Sequence, residues 1–176
     1  DNGKLTGHNT DAPGFLRALC RELEFDPDGA EALVIGAGGA ARAIVFGLRN
    51  AGVQRLTIAN RTLGTARNLA EDLRSGKFRA SAIELTKDAL SDVAPFSTLI
   101  VNTSSMGMSG GPAPDDSPVS SDLISTEAVV YDVVYAPAET PLYREAEAAG
   151  ARTATGLSML VYQGVEGFEL CIGETA

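Results

Sequence analysis

Cysteine, histidine and long apolar runs are all scarce in this sequence of 176 residues. Cys20 and Cys171 lie near opposite ends of the chain, without the close spacing of metal ligands, and the pattern predicts no metal site. We interpret both as reduced, small apolar residues, which favours a cytoplasmic location. His8 is a candidate proton relay, with an ordinary turn residue as the simpler interpretation.

An excess of positive charge is also lacking. The chain has 14 Lys and Arg against 23 Asp and Glu, a formal net charge of −9. This balance argues against nucleic acid and anionic membrane surfaces as partners. No apolar run approaches the roughly 20 residues of a membrane span, so we predict no membrane partner. An anionic ligand would have to be held by local donors.

The sequence has the content of a globular fold, with 44% hydrophobic and 21% charged residues. Its length suits one domain with a substantial core. The opening segment Asp1–Lys4 is typical of a turn and not of the first element of a fold. We therefore expect the sequence to be part of a longer chain.

One stretch organises the sequence, the apolar run Leu33–Ile35 followed by glycines and a helical pattern. The spacing G-x-G-x-x-A falls on Gly36, Gly38 and Ala41. Gly36 permits a tight turn, Gly38 lets a pyrophosphate approach the backbone, and Ala41 lets the helix sit close to the strand. Unpaired N–H groups at the start of that helix would then face the phosphates. The pattern predicts a dinucleotide site, with a ligand-free turn as the alternative.

Strand and helix patterns alternate along the rest of the chain, which predicts a parallel sheet with helices on both faces. The fold class is thus α/β, a doubly wound sheet of about six strands. The predicted strands cover residues 32–35, 55–59, 81–85, 98–101, 128–134 and 151–155. The predicted helices cover residues 13–23, 39–50, 63–73, 87–93, 141–149 and 158–171.

The end of the second strand distinguishes between nicotinamide cofactors. Proteins that bind NAD usually have a carboxylate there, which accepts a hydrogen bond from the ribose 2′-hydroxyl. This chain instead has Asn60 and Arg61, 24 and 25 positions after Gly36. A guanidinium pairs with a 2′-phosphate that a carboxylate would repel. Thr62 adds a hydroxyl and is a candidate cap for the next helix. We predict NADP as the cofactor; a solvated surface charge is the alternative for Arg61.

Three further segments carry candidate site residues. Ligands of doubly wound sheets lie beyond the carboxyl ends of the strands, so Asn102–Ser104 and Tyr131–Tyr135 should face the nicotinamide half of the cofactor. Ordinary turn chemistry is an equal alternative for these residues. Asp11 is a carboxylate in a polar segment before a helix, and a helix N-cap is the alternative to a functional role.

Several motifs together resemble the shikimate dehydrogenase family. The matching segments, in the family's order, are GHNTDAPGF (7–15), VIGAGGAAR (34–42), ANRT (59–62), VNTSSMGM (101–108), YDVVYAPAETPL (131–142) and TGLSMLVYQGVEGFELCIG (155–173). The resemblance implies a Rossmann-like NADP-binding domain over 1–176. Within it, 1–26 is an interdomain helix segment, 30–155 the Rossmann core and 156–176 the C-terminal helix. It also implies interconversion of shikimate and 3-dehydroshikimate in aromatic amino-acid biosynthesis.

Roles for individual residues follow from the resemblance alone. Asp11 is the implied catalytic residue, since the family places it beside a catalytic Lys and a substrate hydroxyl. The implied substrate contacts are Asp11, Tyr135 and Gln163. The implied cofactor-binding residues are Gly36, Gly38, Gly39, Ala40, Asn60, Arg61, Thr62, Thr103, Ser104, Val133, Gly156 and Met159.

The sequence departs from the family pattern in three places. The family's first domain, which carries its catalytic Lys, has no counterpart in these residues, and Lys4 lies too close to Asp11 to be that Lys. Thr65 stands where the family often has a cation, and Arg67 is a candidate substitute. Thr103 stands where an Ala is common, which leaves the nicotinamide contact open between Thr103 and Ser104.

Two expectations follow, together with one open question and one alternative. The chain should bind NADP but turn over little shikimate by itself, because the substrate domain is absent. The helices predicted at 13–23 and 158–171 should expose apolar faces, which predicts self-association, for example as a homodimer. Preference between shikimate and quinate stays open. A non-catalytic NADP-binding module is an alternative, against which Asp11 and Gln163 argue, since a pure sensor needs no substrate-facing groups.

Overall fold

A computed structural model describes residues 5–76 and 78–173. The turn predicted at Asp1–Lys4, and with it Lys4, lies outside these residues. Six short strands alternate with helices along the described chain. The strands are β1 (Glu31–Ile35), β2 (Arg55–Asn60), β3 (Ala80–Glu84), β4 (Leu99–Asn102), β5 (Val129–Asp132) and β6 (Arg152–Thr155).

All six strands are parallel and lie in the order β3-β2-β1-β4-β5-β6. The order runs outward from β1 in both directions, which opens a crevice beyond the carboxyl ends of β1 and β4. This is a doubly wound α/β sheet of Rossmann type, as the alternation of patterns predicts.

Within residues 5–76 and 78–173, six helices cover the sheet. They are α1 (Asp11–Glu22), α2 (Gly39–Asn50), α3 (Leu63–Asp72), α4 (Lys87–Ser91), α5 (Pro141–Ala149) and α6 (Leu157–Ile172), with 3₁₀ turns at Ala94–Phe96 and Ser121–Leu123. Predicted bounds agree within two residues, and β5 is one of the elements that end two residues early. Its predicted extension to 134 fails because the Asp132 carboxylate accepts the Val134 N–H at 3.0 Å and turns the chain out of the sheet.

The strands divide the core into two layers, because successive side chains point to opposite faces. Val34 faces one layer, where Phe15 of α1 and Ile44 of α2 are also buried. Leu33 and Ile35 face the other layer, which contains buried residues of α4 and α5. Strands covered on both faces read as continuous apolar runs, as the β1 sequence does.

The apolar face of α1 is buried, contrary to the expectation that it is exposed. Phe15 is fully buried and its ring meets the Tyr131 ring edge-on, with the centroids 5.2 Å apart. Helix α6 lies so close to α1 that a Cβ at Gly14 would be 2.6 Å from the backbone nitrogen of Gln163. The apolar face of α1 therefore packs against α2 and α6, two contacts that helical periodicity alone does not predict.

Helix α6 does expose apolar side chains, as predicted. Those at least two-fifths exposed are Leu157, Leu160, Val161, Phe168, Leu170 and Ile172. Cys20 and Cys171 are free and exposed, so neither belongs to the core. No helix of the described residues is long and apolar enough to cross a membrane.

Candidate functional site

The turn after β1 depends on Gly36, where φ is +106°. Its N–H donates to the Ala59 carbonyl at 2.8 Å, and a Cβ here would lie 2.5 Å from Thr103 Oγ1. Both the backbone conformation and the space therefore require glycine. The prediction that Gly36 permits a tight turn after β1 is confirmed.

The start of α2 is open and carries no cap. Gly38 holds the N-cap position in an extended conformation, no side chain caps the helix, and its first turn has no acidic residue. A Cβ at Gly38 or Gly39 would meet nothing within 4 Å. Ala41 is fully buried, as close packing of the helix on the sheet requires. The first amides of α2, including that of Ala40, are thus left for an external acceptor.

The end of β2 presents one free cation. Arg61 is exposed and has no ion-pair partner among residues 5–76 and 78–173. The Asn60 side-chain amide donates to the Thr62 carbonyl at 3.0 Å and shapes the turn. Thr62 stands at the N-cap of α3, but the predicted cap is wrong, since its hydroxyl makes no capping hydrogen bond.

A cavity of about 600 Å³ extends along this edge of the sheet. Its walls include Gly36, Asn60, Arg61 and Ser104, together with the start of α4 and parts of the loop 112–123. This volume is within the range of small-molecule sites. Among the described residues, two cationic side chains, Arg61 and Lys87, line the cavity and no carboxylate does.

A buried carboxylate ties together the ends of β4 and β5. Asp132 is fully buried and accepts hydrogen bonds from Asn102 Nδ2 at 2.9 Å, the Val134 N–H at 3.0 Å and Thr140 Oγ1 at 2.7 Å. Burial raises the pKa of this carboxyl above its ordinary value, and the three hydrogen bonds oppose that shift only partly. The network fixes the two loops that follow the strands.

The hydroxyls after β4 are used within the turn. Thr103 Oγ1 donates to the Ile35 carbonyl at 2.6 Å, and Ser104 Oγ donates to Asn102 Oδ1 at 2.7 Å. Turn chemistry, the alternative that the sequence left open, therefore accounts for both. Ser104 also lines the cavity, whereas Thr103 does not.

The loop after β5 lies against the start of α6. Val133 is partly buried, Tyr135 is 53% exposed, and Gly156 is buried. The Gly156 N–H donates to the Val134 carbonyl at 3.2 Å. Met159 is buried in the core, with its N–H donating to the Tyr131 hydroxyl at 3.2 Å.

Tyr131 does not face a ligand site, although it belongs to the segment predicted to do so. Its side chain is fully buried, and its hydroxyl is 3.0 Å from Ser158 Oγ. Burial raises the pKa of this hydroxyl above its ordinary value, against the opposing hydrogen bonds of Ser158 and the Met159 backbone. Tyr131 therefore anchors the start of α6 to the sheet.

Asp11 is the first residue of α1 and not its cap. Thr10 holds the N-cap position, and the Ala12 N–H donates to Asn9 Oδ1 at 3.1 Å. The cap alternative for Asp11 is therefore wrong, and nothing among the described residues hydrogen-bonds its partly buried carboxylate. His8 is exposed in the segment before α1.

Gln163 of α6 lies beside this segment. Thr10 Oγ1 donates to Gln163 Oε1 at 3.4 Å, and Gln163 Nε2 donates to the Leu160 carbonyl at 2.9 Å. The crossing of α1 and α6 thus brings the neighbourhood of Asp11 and the amide of Gln163 to one place.

A family model described as "Shikimate / quinate 5-dehydrogenase" matches residues 20–107, half of the chain. The chain belongs to the shikimate/quinate 5-dehydrogenase family. The curated shikimate dehydrogenase (NADP(+)) of Methanopyrus kandleri is 44% identical over 176 residues, which are 99% of this chain and 60% of that protein. The chain thus spans about 60% of the length of the curated relatives that it matches.

Solved structures of family members have the same fold. Shikimate 5-dehydrogenase from Listeria monocytogenes, in complex with shikimate and NAD, is similar with a TM-score of 0.91 and 32% identity, over 99% of this chain and 62% of that one. The enzyme from Thermus thermophilus, in complex with NADP(H) and shikimate, has a TM-score of 0.83 and 38% identity, over 99% and 60%.

Some candidate residues of this family member come together and others do not. Gly36, Asn60, Arg61 and Ser104 share one cavity. Arg67, the candidate substitute for a cation at Thr65, instead lines a separate cleft with Arg74 beside β3. Asp11 and Gln163 form a second group on α1 and α6.

Sequence reasoning missed Lys87 and Asp132. Lys87 directly follows Thr86 after β3, and the rule that ligands lie beyond the carboxyl ends of strands would have pointed to it. For Asp132 the sequence predicts only a position in the segment Tyr131–Tyr135 that should face the cofactor. No sequence signal gives its three bonding partners, which come from β4 and from the loop before α5.

Proposed function

We propose that this chain is the NADP-binding part of an oxidoreductase that interconverts shikimate and 3-dehydroshikimate. The curated relatives carry the name shikimate dehydrogenase (NADP(+)), and one solved relative contains NADP(H) and shikimate. In this proposal 1–176 forms a single cofactor domain. Segments 1–26 and 156–176 flank a core at 30–155 and face an N-terminal substrate domain. A cytoplasmic location remains a prediction from the cysteine content.

The charge of the cavity is the observation that carries the proposal. The chain has a net charge of −9, yet the described residues give this cavity cations and no carboxylate. A nucleotide with several phosphates needs such local donors when the overall field is repulsive. The missing acidic residue at the end of β2 removes the usual acceptor for an unphosphorylated ribose and favours NADP.

The proposed cofactor-binding residues form groups along the carboxyl ends of the strands, one for each part of the cofactor. Gly36, Gly38, Gly39 and Ala40 would bind the pyrophosphate, because the open start of α2 offers backbone donors. The end of β2 would bind the adenosine 2′-phosphate, with Arg61 as its bidentate partner. Asn60 and Thr62 would bind beside Arg61 at the adenosine end. The residues proposed for the nicotinamide end are Thr103, Ser104, Val133, Gly156 and Met159.

The substrate residues would act at the opposite end of the cofactor. NADP, when bound, supplies a nicotinamide C4 that accepts or donates a hydride. Asp11 would hold a substrate hydroxyl and a Lys from the substrate domain, and its carboxylate has no competing partner in the described structure. Gln163 and the exposed Tyr135 would add hydrogen bonds to the substrate.

A titration of the purified 176-residue chain tests the cofactor assignment. We expect calorimetry to give a Kd for NADP⁺ at least about tenfold lower than for NAD⁺, since one charge-assisted pair is worth that much. Arg61→Met should reduce this preference about tenfold without changing the affinity for NAD⁺.

Arg67→Met is the matched control, because it removes the same charge from a neighbouring exposed site outside the cavity. It should leave both affinities unchanged. Tighter binding of NAD⁺ than of NADP⁺ by the unaltered chain, or no binding of either, would refute the proposal.

A further inference from the structure

The cavity that contains Arg61 also contains a lysine. Strands β2 and β3 are neighbours with Asn60 opposite Glu84, and the Leu85 N–H donates to the Asn60 carbonyl at 3.1 Å. The segments that carry Arg61 and Lys87 therefore leave the sheet side by side. Both side chains line the same cavity.

Lys87 is held at the rim by an exposed partner. Its Nζ lies 3.5 Å from Asp122 Oδ2, and the two side chains are 73% and 60% exposed. Asp122 belongs to the 3₁₀ turn Ser121–Leu123 and is not among the cavity-lining residues, whereas its neighbours Ser120 and Leu123 are. An ion pair this exposed contributes little, so Lys87 can exchange its partner for a stronger anion at low cost.

The position of Lys87 in the fold favours contact with the ribose 2′-phosphate over contact with the pyrophosphate. The order β3-β2-β1 places β3 two strands away from β1, or roughly 10 Å at the usual spacing. The segment that carries Lys87 therefore leaves the sheet beside the segment that carries Arg61, on the side of the cavity away from the open start of α2 that follows β1. The ribose 2′-phosphate is a phosphomonoester with a charge of about −1.5 to −2 at neutral pH, so two cations are needed to neutralise it.

We propose that Lys87 is the second cation for the ribose 2′-phosphate and a specificity-determining residue for NADP over NAD. Lys87 leaves Asp122 and pairs with the phosphate when the nucleotide binds. Asp122 thereby weakens binding, because it competes for Lys87 and repels the phosphate. This inference rests on the proposed function, since it assumes that the cavity takes the adenosine end of NADP.

Binding of NADP⁺ and NAD⁺ to matched variants of the 176-residue chain tests the inference by calorimetry. Lys87→Met should weaken NADP⁺ binding about tenfold and change NAD⁺ binding less than about twofold. Lys87→Arg should keep most of the preference. Asp122→Asn should strengthen NADP⁺ binding about two- to threefold, and this gain should shrink when Lys87→Met is combined with it.

Arg74→Gln is the control, since Arg74 is a similarly exposed cation in an ion pair, with Glu71 at 2.8 Å, and lines a different cleft. It should change neither affinity. Equal losses for both cofactors in Lys87→Met, or an unchanged preference in a chain that does favour NADP⁺, would overturn the role of Lys87 and leave the proposed function intact. A chain that binds neither cofactor would overturn both.

Discussion

The carbonyl oxygen of Val133 occupies the space in which a side chain at Gly156 would begin. A Cβ at position 156 would lie 1.9 Å from that oxygen, although the backbone there has an ordinary φ of −67°. Glycine is therefore required by proximity and not by backbone conformation. The contact seats the start of α6 on the loop after β5, where the nicotinamide end of the cofactor is proposed to lie.

Gly156→Ala should lower the free energy of unfolding by about 3 kcal/mol, because the carbonyl of Val133 must move. Gly164→Ala is the control inside α6, the helix that Gly156 precedes, and an added Cβ there meets nothing within 4 Å. It should stabilise the chain by up to about 1 kcal/mol through helix propensity. Urea unfolding measures both, and equal effects of the two substitutions would contradict the close contact.

Gly36→Ala and Gly38→Ala should separate stability from binding. Gly36→Ala should destabilise the fold by about 2 kcal/mol or more, since both its positive φ and Thr103 oppose a side chain. Gly38→Ala should leave stability within about 1 kcal/mol. Its methyl group should nevertheless weaken NADP⁺ binding at least about tenfold by holding the pyrophosphate away from the backbone. Unchanged NADP⁺ affinity in Gly38→Ala would count against that site.

Asp132 should make the free energy of unfolding of the chain depend on pH. Its pKa is raised in the folded state, so the folded chain binds more protons than the unfolded chain between the ordinary value of 3.8 and the raised one. Stability from this group is therefore fully present below about pH 3.8 and is lost as pH rises through the folded pKa.

Comparison with Asp132→Asn isolates this contribution. The unfolding free energy of the unaltered chain minus that of the variant should fall as pH rises from about 3.5 towards neutrality. Denaturant titrations at several pH values measure the difference. A difference that rises with pH would mean that the hydrogen bonds from Asn102, Thr140 and Val134 outweigh burial.

The apolar side chains exposed on α6 should promote self-association of the isolated chain. Val161 and Phe168 are 56% and 57% exposed, so replacing both with Gln removes apolar surface without opening the core. Light scattering should show oligomers that grow with concentration and that the double variant weakens. A strict monomer at high concentration would contradict the expectation.

Turnover by the 176-residue chain should be negligible. In the proposed function, Asp11 and Gln163 need a Lys from a substrate domain to move the proton of the reacting oxygen. Absorbance at 340 nm after mixing the chain with NADP⁺ and shikimate should therefore show little NADPH. Rapid NADPH formation would refute this division of labour.

Local sequence patterns were enough to predict the secondary structure and the fold class. The run Leu33–Ile35, the glycines after it and the following helical periodicity specify strand, turn and helix by steric rules that act within about ten residues. Alternation of such units then specifies a parallel sheet. Asn60 and Arg61, which stand where NAD-binding proteins have a carboxylate, predicted the preference for NADP by charge complementarity.

Tertiary structure alone decided which side chains meet. Arg67 follows Arg61 by only six residues, yet it faces a different cleft, while Lys87 shares the cavity because β3 pairs with β2. Asp132 receives hydrogen bonds from Asn102 and Thr140 for a similar reason, since β4 and β5 end together. Sequence thus determined the elements through short-range sterics and periodicity, whereas the composition of the site followed from strand order, which brings distant residues to one edge of the sheet.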